Sequence, residues 1–353
     1  MAAPETFPTL STTERLARLT PPPEHGRLSF VLDTDPSNEI DDQFAITYAL
    51  LSPERLECKA IHAAPFSWGP RGDDPQGGME MSYKTAKEVL DRLQLPPSTP
   101  PPPVVRGSTR FATDRRDLSG FTGGPVESEA TANLIRLARQ QPDDQPLYVV
   151  AIAPITNVAS AILLAPDIIR KIVVVWLGGQ PHNYGYANEC NLRQDVYASR
   201  VVLDCGVPLV LTPCNGMAEQ LLLTAEDVRT RLAGRGEIGA YLADAFLGLC
   251  RKNDTDSRWM WDMVPIAWLI NPWLVETIVI PTPILATSPF RTEGYCAPHL
   301  GRKVAPLSHF PAHCTWGLDP HRHFMREGLF VRRDPIFRDF FRKLESHASG
   351  GAG

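Results

Sequence analysis

The sequence predicts an α/β protein with a doubly wound, mostly parallel central sheet in a single domain, and three observations carry that prediction. Strand-like and helix-like segments alternate from residue 28 to residue 213. The strand-like segments are continuous apolar runs, as strands covered on both faces require. Polar clusters begin where those runs end, and open α/β sheets place their ligands outside the carboxyl ends of strands.

The elements follow in order. Residues 1–25 read as an extended leader that ends at Pro21-Pro22-Pro23, and the first twenty carry no apolar signal-peptide core. Residues 28–32 form a strand and 42–51 a helix; 56–64 form a strand and 81–93 a helix. The proline-rich stretch 96–103 bridges that helix to a short strand at 103–107. Residues 128–140 are helical, and 146–153 form a strand entering a helix at 156–164. A strand at 169–177, a helix at 195–204 and a strand at 207–213 follow. The domain extends over residues 26–345, and the Gly/Ala/Ser tail 346–353 is expected to be disordered.

Composition narrows the function classes. The chain has 353 residues, 43% hydrophobic and 21% charged, with a net charge of −5 and no basic run. That balance argues against nucleic acid or an anionic membrane as partner. No stretch of 18 apolar residues occurs, so no membrane span is expected. The seven cysteines are scattered without a C-x-x-C pair, which reads as reduced thiols in a cytoplasmic protein.

The most informative segment is Asp33-Thr34-Asp35-Pro36-Ser37-Asn38-Glu39-Ile40-Asp41-Asp42, directly after the first strand. Period two puts Asp33 and Asp35 on one face of the strand end. Asp41 and Asp42 open the next helix, where the dipole favours negative charge. Helix capping accounts for one or two of these acids but not for all. Carboxylates crowded at the end of a buried strand are costly unless a cation neutralises them. A hard divalent ion with oxygen ligands resolves that cost.

Other polar groups also follow strands. Thr156, in Pro154-Ile155-Thr156-Asn157, reads first as a helix N-cap. Gly178-Gly179-Gln180-Pro181-His182-Asn183 lacks the spacing of a phosphate loop. Glu189 and Asn191 stand two apart, so from an extended loop they point the same way and suit a polyhydroxylated ligand; Asp195 caps the helix after them. Farther on, Asp262 lies alone within the aromatic run Ser257-Arg258-Trp259-Met260-Trp261-Asp262, where it needs a partner or a cation. Trp259 and Trp268 read as core, whereas Trp261 reads equally as core and as a stacking surface for a heteroaromatic ligand.

These motifs carry a resemblance. Asp33-Thr34-Asp35 with Asp41-Asp42, Pro154-Ile155-Thr156-Asn157, Glu189-Cys190-Asn191 with Asp195, and Trp261-Asp262-Met263-Val264-Pro265 occur in the order and rough spacing of the nucleoside hydrolase family, often labelled inosine/uridine-preferring. The resemblance covers residues 28 to 285. It implies one tightly held Ca²⁺ with Asp35, Asp42 and Asp262 as carboxylate ligands and a backbone oxygen at the Ile155-Thr156 step. It further implies that Asp35 is the general base, that Asp41, Asn183, Glu189 and Asn191 hold the ribose hydroxyls, and that Asp33 supports the cluster from behind. The implied activity is hydrolysis of the N-glycosidic bond of a small-molecule nucleoside by a homo-oligomer, a dimer or tetramer.

Three departures from the family pattern shape the expected specificity. The first motif is two residues longer, which brings Glu39 near the site without a role. Pro65-Phe66-Ser67-Trp68 stands where many members have Gly-Asn. Trp261 replaces a histidine thought to protonate the leaving base, so stacking on Trp261 is expected to favour purine ribosides. Tyr184, Tyr186 and Trp68 would close the opposite side, and His182 is the substitute proton donor. The competing expectations are a catalytically weak riboside-binding protein with the same fold and metal, and a hydrolase of a different riboside.

Overall fold

The first strand, β1 (Leu28–Thr34), lies inside the sheet because both of its faces are apolar. Phe30 and Leu32 face one core with Val150, Val173 and Val175, while Val31 faces the other with Val149, Val174 and Trp176. That alternation is the period-two geometry of a strand buried on both sides. The computed structural model describes residues 6–67, 73–114, 122–288 and 313–350.

Parallel neighbours extend from β1 in both directions. On one side stand β2 (Leu56–Ala63) and then β3 (Val104–Arg106). On the other come β4 (Leu147–Ile152), β5 (Ile172–Leu177) and β6 (Leu209–Thr212). The small antiparallel pairs β7 (Leu222–Thr224) with β8 (Ser257–Trp259), and β10 (Ile284–Ser288) with β11 (His313–Gly317), stand apart from this sheet. Two late strands complete it. β12 (Phe324–Val331) pairs parallel with β6, and β9 (Val275–Pro281) lies antiparallel on the edge. The eight-stranded, mostly parallel sheet agrees with the sequence-based fold class.

Helices cover both faces. α2 (Asp41–Leu50), α3 (Pro75–Leu93), α9 (Gly236–Asn253), α10 (Met263–Ile270) and α11 (Arg333–Ala348) bury Phe44, Val89, Phe246, Trp268 and Phe340 on one side. α4 (Glu129–Arg139), α5 (Thr156–Leu164) and α7 (Val196–Asp204) bury Leu134, Val158 and Val202 on the other. The short helices α6 (Cys190–Gln194) and α8 (Ala225–Arg231) connect them. No helix among the described residues is long and apolar enough to cross a membrane.

The structure differs from the sequence reading in several places. The leader contains a helix, α1 (Thr12–Leu19), closed by a capping box between Ser11 and Glu14. Leu19 and Arg15 are buried, so this segment is packed rather than extended. The last helix runs through Ala348, three residues into the expected tail. α3 begins at Pro75 instead of residue 81, because Asp74 accepts the Gly77 N–H at 2.8 Å and Pro75 opens the first turn. The prolines 96–103 do bridge α3 to β3.

Candidate active site

The site forms where β1, β4, β5 and β6 end. Asp33 and Thr34 finish β1, Asp35 follows, and Asp41 and Asp42 open α2. Asp262 stands immediately before α10, which packs on α2. The carboxylates of Asp41, Asp42 and Asp262 are buried and present oxygens within 4.8 Å of one another. Asp35 lines the same cavity of about 120 Å³, together with Asn38, Glu39, Glu189, Asn191 and Trp261.

Hydrogen bonds fix the cluster. Asp42 Oδ1 accepts the Thr34 hydroxyl at 2.5 Å and the Asp35 N–H at 3.0 Å. Asp35 Oδ2 accepts the Asn38 amide at 3.0 Å, and Asp41 Oδ2 accepts the Asp262 N–H at 3.1 Å. Asp33 lies behind, its Oδ1 held by Asn157 at 3.0 Å, while its Oδ2 is buried without a hydrogen-bond partner. Burial and then mutual repulsion raise the carboxyl pKa values of Asp35, Asp41 and Asp262 well above the ordinary range. Burial pushes Asp33 and Asp42 up to about 7. Buried carboxylates of this kind, offering hard oxygen donors to one point, fit a divalent cation, whose ligand distances of about 2.3–2.6 Å match donors this close.

The expected residues are not all brought together. The sequence reading joined Asp35 to Asp42 and Asp262; the tightest group instead contains Asp41, with Asp35 beside it in the cavity. The Ile155 carbonyl accepts the Ala159 N–H of α5 at 3.0 Å, which uses one of its two lone pairs, and its side chain is in the core. Ile152, at the end of β4, is the residue of that strand that lines the cavity. Thr156 is the first residue of α5 rather than its cap, and its hydroxyl donates to Asp195 at 2.6 Å.

The loop after β5 turns at Gly179, whose φ of +66° favours glycine. Its N–H donates to Glu189 at 2.9 Å, and Glu189 also accepts the N–H groups of Asn191 and Leu192. Glu189 therefore caps α6, and Asn191 sits in that helix rather than in an extended loop. Both still line the cavity. Asn191 donates its amide to the Leu177 carbonyl at 3.1 Å. Asp195 caps α7 as expected, and also takes the N–H groups of Ala112 and Thr113.

His182 and Asn183 are not among the lining residues. The His182 ring contacts Glu327, a buried carboxylate on β12 that also accepts the His182 N–H at 2.8 Å. Asn183 is exposed. Trp261 lines the cavity and stacks on Trp259 with ring centroids 5.4 Å apart and planes 20° from parallel. Tyr184 and Tyr186 pack against each other at 5.8 Å. Trp68 lies outside the described residues.

The sequence reading missed several lining residues: Gln180, Asn188, Arg193, Cys214 and Asn215. Cys214 and Asn215 follow the end of β6 and were within reach of the strand-end rule. Gln180 accepts the Asn215 N–H at 3.0 Å and donates to the Asn188 carbonyl at 2.9 Å, so it ties two cavity loops together.

The chain matches the family model described as inosine-uridine preferring nucleoside hydrolase over residues 30–293. The pyrimidine-specific ribonucleoside hydrolase RihA of Klebsiella pneumoniae (strain 342) is 29% identical over 277 residues, covering 71% of this chain and 82% of that protein. Among solved structures, a purine-preferring ribonucleoside hydrolase from Gardnerella vaginalis superposes with a TM-score of 0.64 at 21% identity, covering 92% of this chain and all (100%) of that one. An inosine-uridine preferring nucleoside hydrolase from Bacillus anthracis gives 0.63 at 15% identity, with 91% and 100% coverage. At these identities the structural likenesses bear on the fold.

Proposed function

The chain belongs to the inosine-uridine preferring nucleoside hydrolase family, N-glycosidases acting on ribonucleosides, and we propose that it is a Ca²⁺-dependent enzyme that releases the base from purine ribonucleosides. The observation that carries this reading is the convergence of Asp35, Asp41, Asp42 and Asp262 in one cavity with Glu189, Asn191 and Trp261.

Asp35, Asp42 and Asp262 would hold the cation with a backbone oxygen at the Ile155-Thr156 step, and Asp41 stands beside them. A hard divalent ion bound there neutralises the cluster and acidifies water at the sugar's anomeric carbon. Asp35, ionised once its neighbours are neutralised, accepts the proton from the attacking water. The Asn38 amide keeps the Asp35 carboxylate in place. Asp41, Glu189 and Asn191 engage the ribose hydroxyls and convert binding energy into orientation. Glu189 accepts three backbone N–H groups, so its carboxylate is rigid before substrate arrives.

The leaving base is handled by the indole. Among the described residues that line the cavity none is a histidine, whereas Trp261 offers an aromatic face backed by Trp259. Stacking raises the basicity of a purine enough for solvent to protonate it, which a small pyrimidine exploits less. The test is a free-ribose assay on a panel of purine and pyrimidine ribosides with and without a calcium chelator. Ribose release from inosine that stops with chelator and returns with Ca²⁺ is the expected result. Turnover indifferent to chelator overturns the cation, and tight riboside binding without ribose release favours the riboside-binding alternative.

A further inference from the structure

We propose that Arg258 is a positioning residue for the cation site, locking the acidic loop after β1 onto the segment that carries Asp262. The inference rests on the cation reading above and adds a residue which that reading does not use.

The acid cluster is assembled from two segments. Asp41 and Asp42 come from the first, Asp262 from the second, 221 residues beyond Asp41. Besides the packing of α10 on α2 and the Asp42–Asp262 side-chain contact, two links cross the seam between them. One is the Asp262 N–H to Asp41 Oδ2, at 3.1 Å. The other is Arg258 Nη2 to Glu39 Oε2, an ion pair at 2.7 Å. The Arg258 side chain is only 11% exposed and that of Glu39 33%, so this pair is screened far less than a surface bridge.

Both ends of the link sit close to the cluster. Glu39 lines the cavity and lies two residues before Asp41. Arg258 belongs to β8, where it is paired opposite Leu223. Only three residues separate it from Asp262, and the Met260 N–H between them is tied to the Leu221 carbonyl at 2.9 Å. The Arg258–Glu39 pair therefore helps to hold the two segments, and the carboxylates they carry, in register.

Charge explains why such a link is needed. Asp35, Glu39, Asp41, Asp42, Glu189 and Asp262 all line the cavity, and their repulsion drives the two segments apart. Arg193 is the cation among the described lining residues, but it belongs to α6. Arg258 places its counter-charge at the seam itself, with a planar fork suited to a carboxylate. The site is thereby assembled before the cation binds.

Terbium titration of the full-length chain tests this, with Tb³⁺ replacing Ca²⁺ and emission excited through the cavity tryptophan. Arg258→Met is expected to weaken Tb³⁺ binding by about 10–100-fold, as loss of a residue orienting metal ligands does, and Arg258→Lys is expected to recover part of it. The sign is diagnostic. Removing a positive charge near a cation site tightens binding by simple electrostatics, so a weaker Arg258→Met can only come from lost positioning.

Unchanged or tighter Tb³⁺ binding in Arg258→Met overturns the proposal. If that variant fails to fold, Arg258→Lys, which keeps the charge but not the fork, decides it: wild-type affinity overturns the proposal, and weakened binding supports it. Wild-type protein that binds no Tb³⁺ instead overturns the cation reading, and this inference with it.

Discussion

In the proposed reading, Asp35 and Trp261 divide the chemistry at the level of single residues. Asp35→Asn keeps the volume and the contact with Asn38 but cannot take a proton from water. Turnover is expected to fall by about 10²–10⁴-fold with the thermal transition little changed, since loss of a general base typically costs that much. Steady-state ribose release and a melting curve on the same preparation check it, and near-normal kcat removes Asp35 from its role. Trp261→Ala is expected to lower kcat/KM for inosine more than for uridine, because a purine loses the larger stacking area. An unchanged inosine-to-uridine ratio means that Trp261 does not select the base. His182, expected from the sequence as the substitute acid, is engaged by Glu327 and lies outside the cavity lining.

Asp195 shows how the elements hold the site. One fully buried carboxylate caps α7 and accepts from Ala112, Thr113 and Thr156, which belong to two other segments. Sequence pattern identified the cap but not the junction. Asp195→Ala removes the cap and strands several buried donors, and each loss costs about 1–3 kcal/mol. A destabilisation of roughly 2–4 kcal/mol in urea titration is therefore expected. A cost below about 1 kcal/mol would show that the cap alone matters. Because α6 is capped by Glu189 and carries Asn191, both cavity residues, and leads into α7, a rise in KM is expected alongside.

For the whole molecule, a buried histidine gives stability a pH dependence remote from the cavity. His62, on β2, is fully buried, with Nε2 facing Asn133 at 3.0 Å and Nδ1 without a partner. Burial pushes its pKa from 6.5 down to about 4. The unfolded chain therefore binds a proton near pH 6.5 that the folded chain refuses until about pH 4. Between those values the unfolded state holds more protons, so stability rises with pH across this window. Going from pH 7 to pH 5 is expected to remove about 2 kcal/mol through this group. Denaturant titrations of wild type and His62→Gln at both pH values check it: His323 carries the same shift and Asp33 and Asp42 the opposite one, so the His62 contribution is the difference between the two proteins. A variant with the same pH slope as wild type places the dependence elsewhere.

The sequence by itself determined the class of fold and the place of the site. Continuous apolar runs such as residues 28–32 and 172–177 have no stable home except strands covered on both faces, and acids crowded where such a run ends have no inexpensive partner except a cation. Local signals of this kind survive without tertiary knowledge because periodicity and charge density are properties of neighbours in the chain. Only the tertiary structure decided which acids meet: Asp41 joins Asp42 and Asp262 because α10 packs against α2, and no spacing along the chain encodes that contact. It likewise showed that Arg258 reaches Glu39 across 219 residues. β9 and β12 escaped the sequence reading for the same reason. β9 is an edge strand exposed at Ile278 and Val279, and β12 buries Glu327 within its run, so neither carries the uninterrupted apolar pattern that identifies an inner strand before the sheet is assembled.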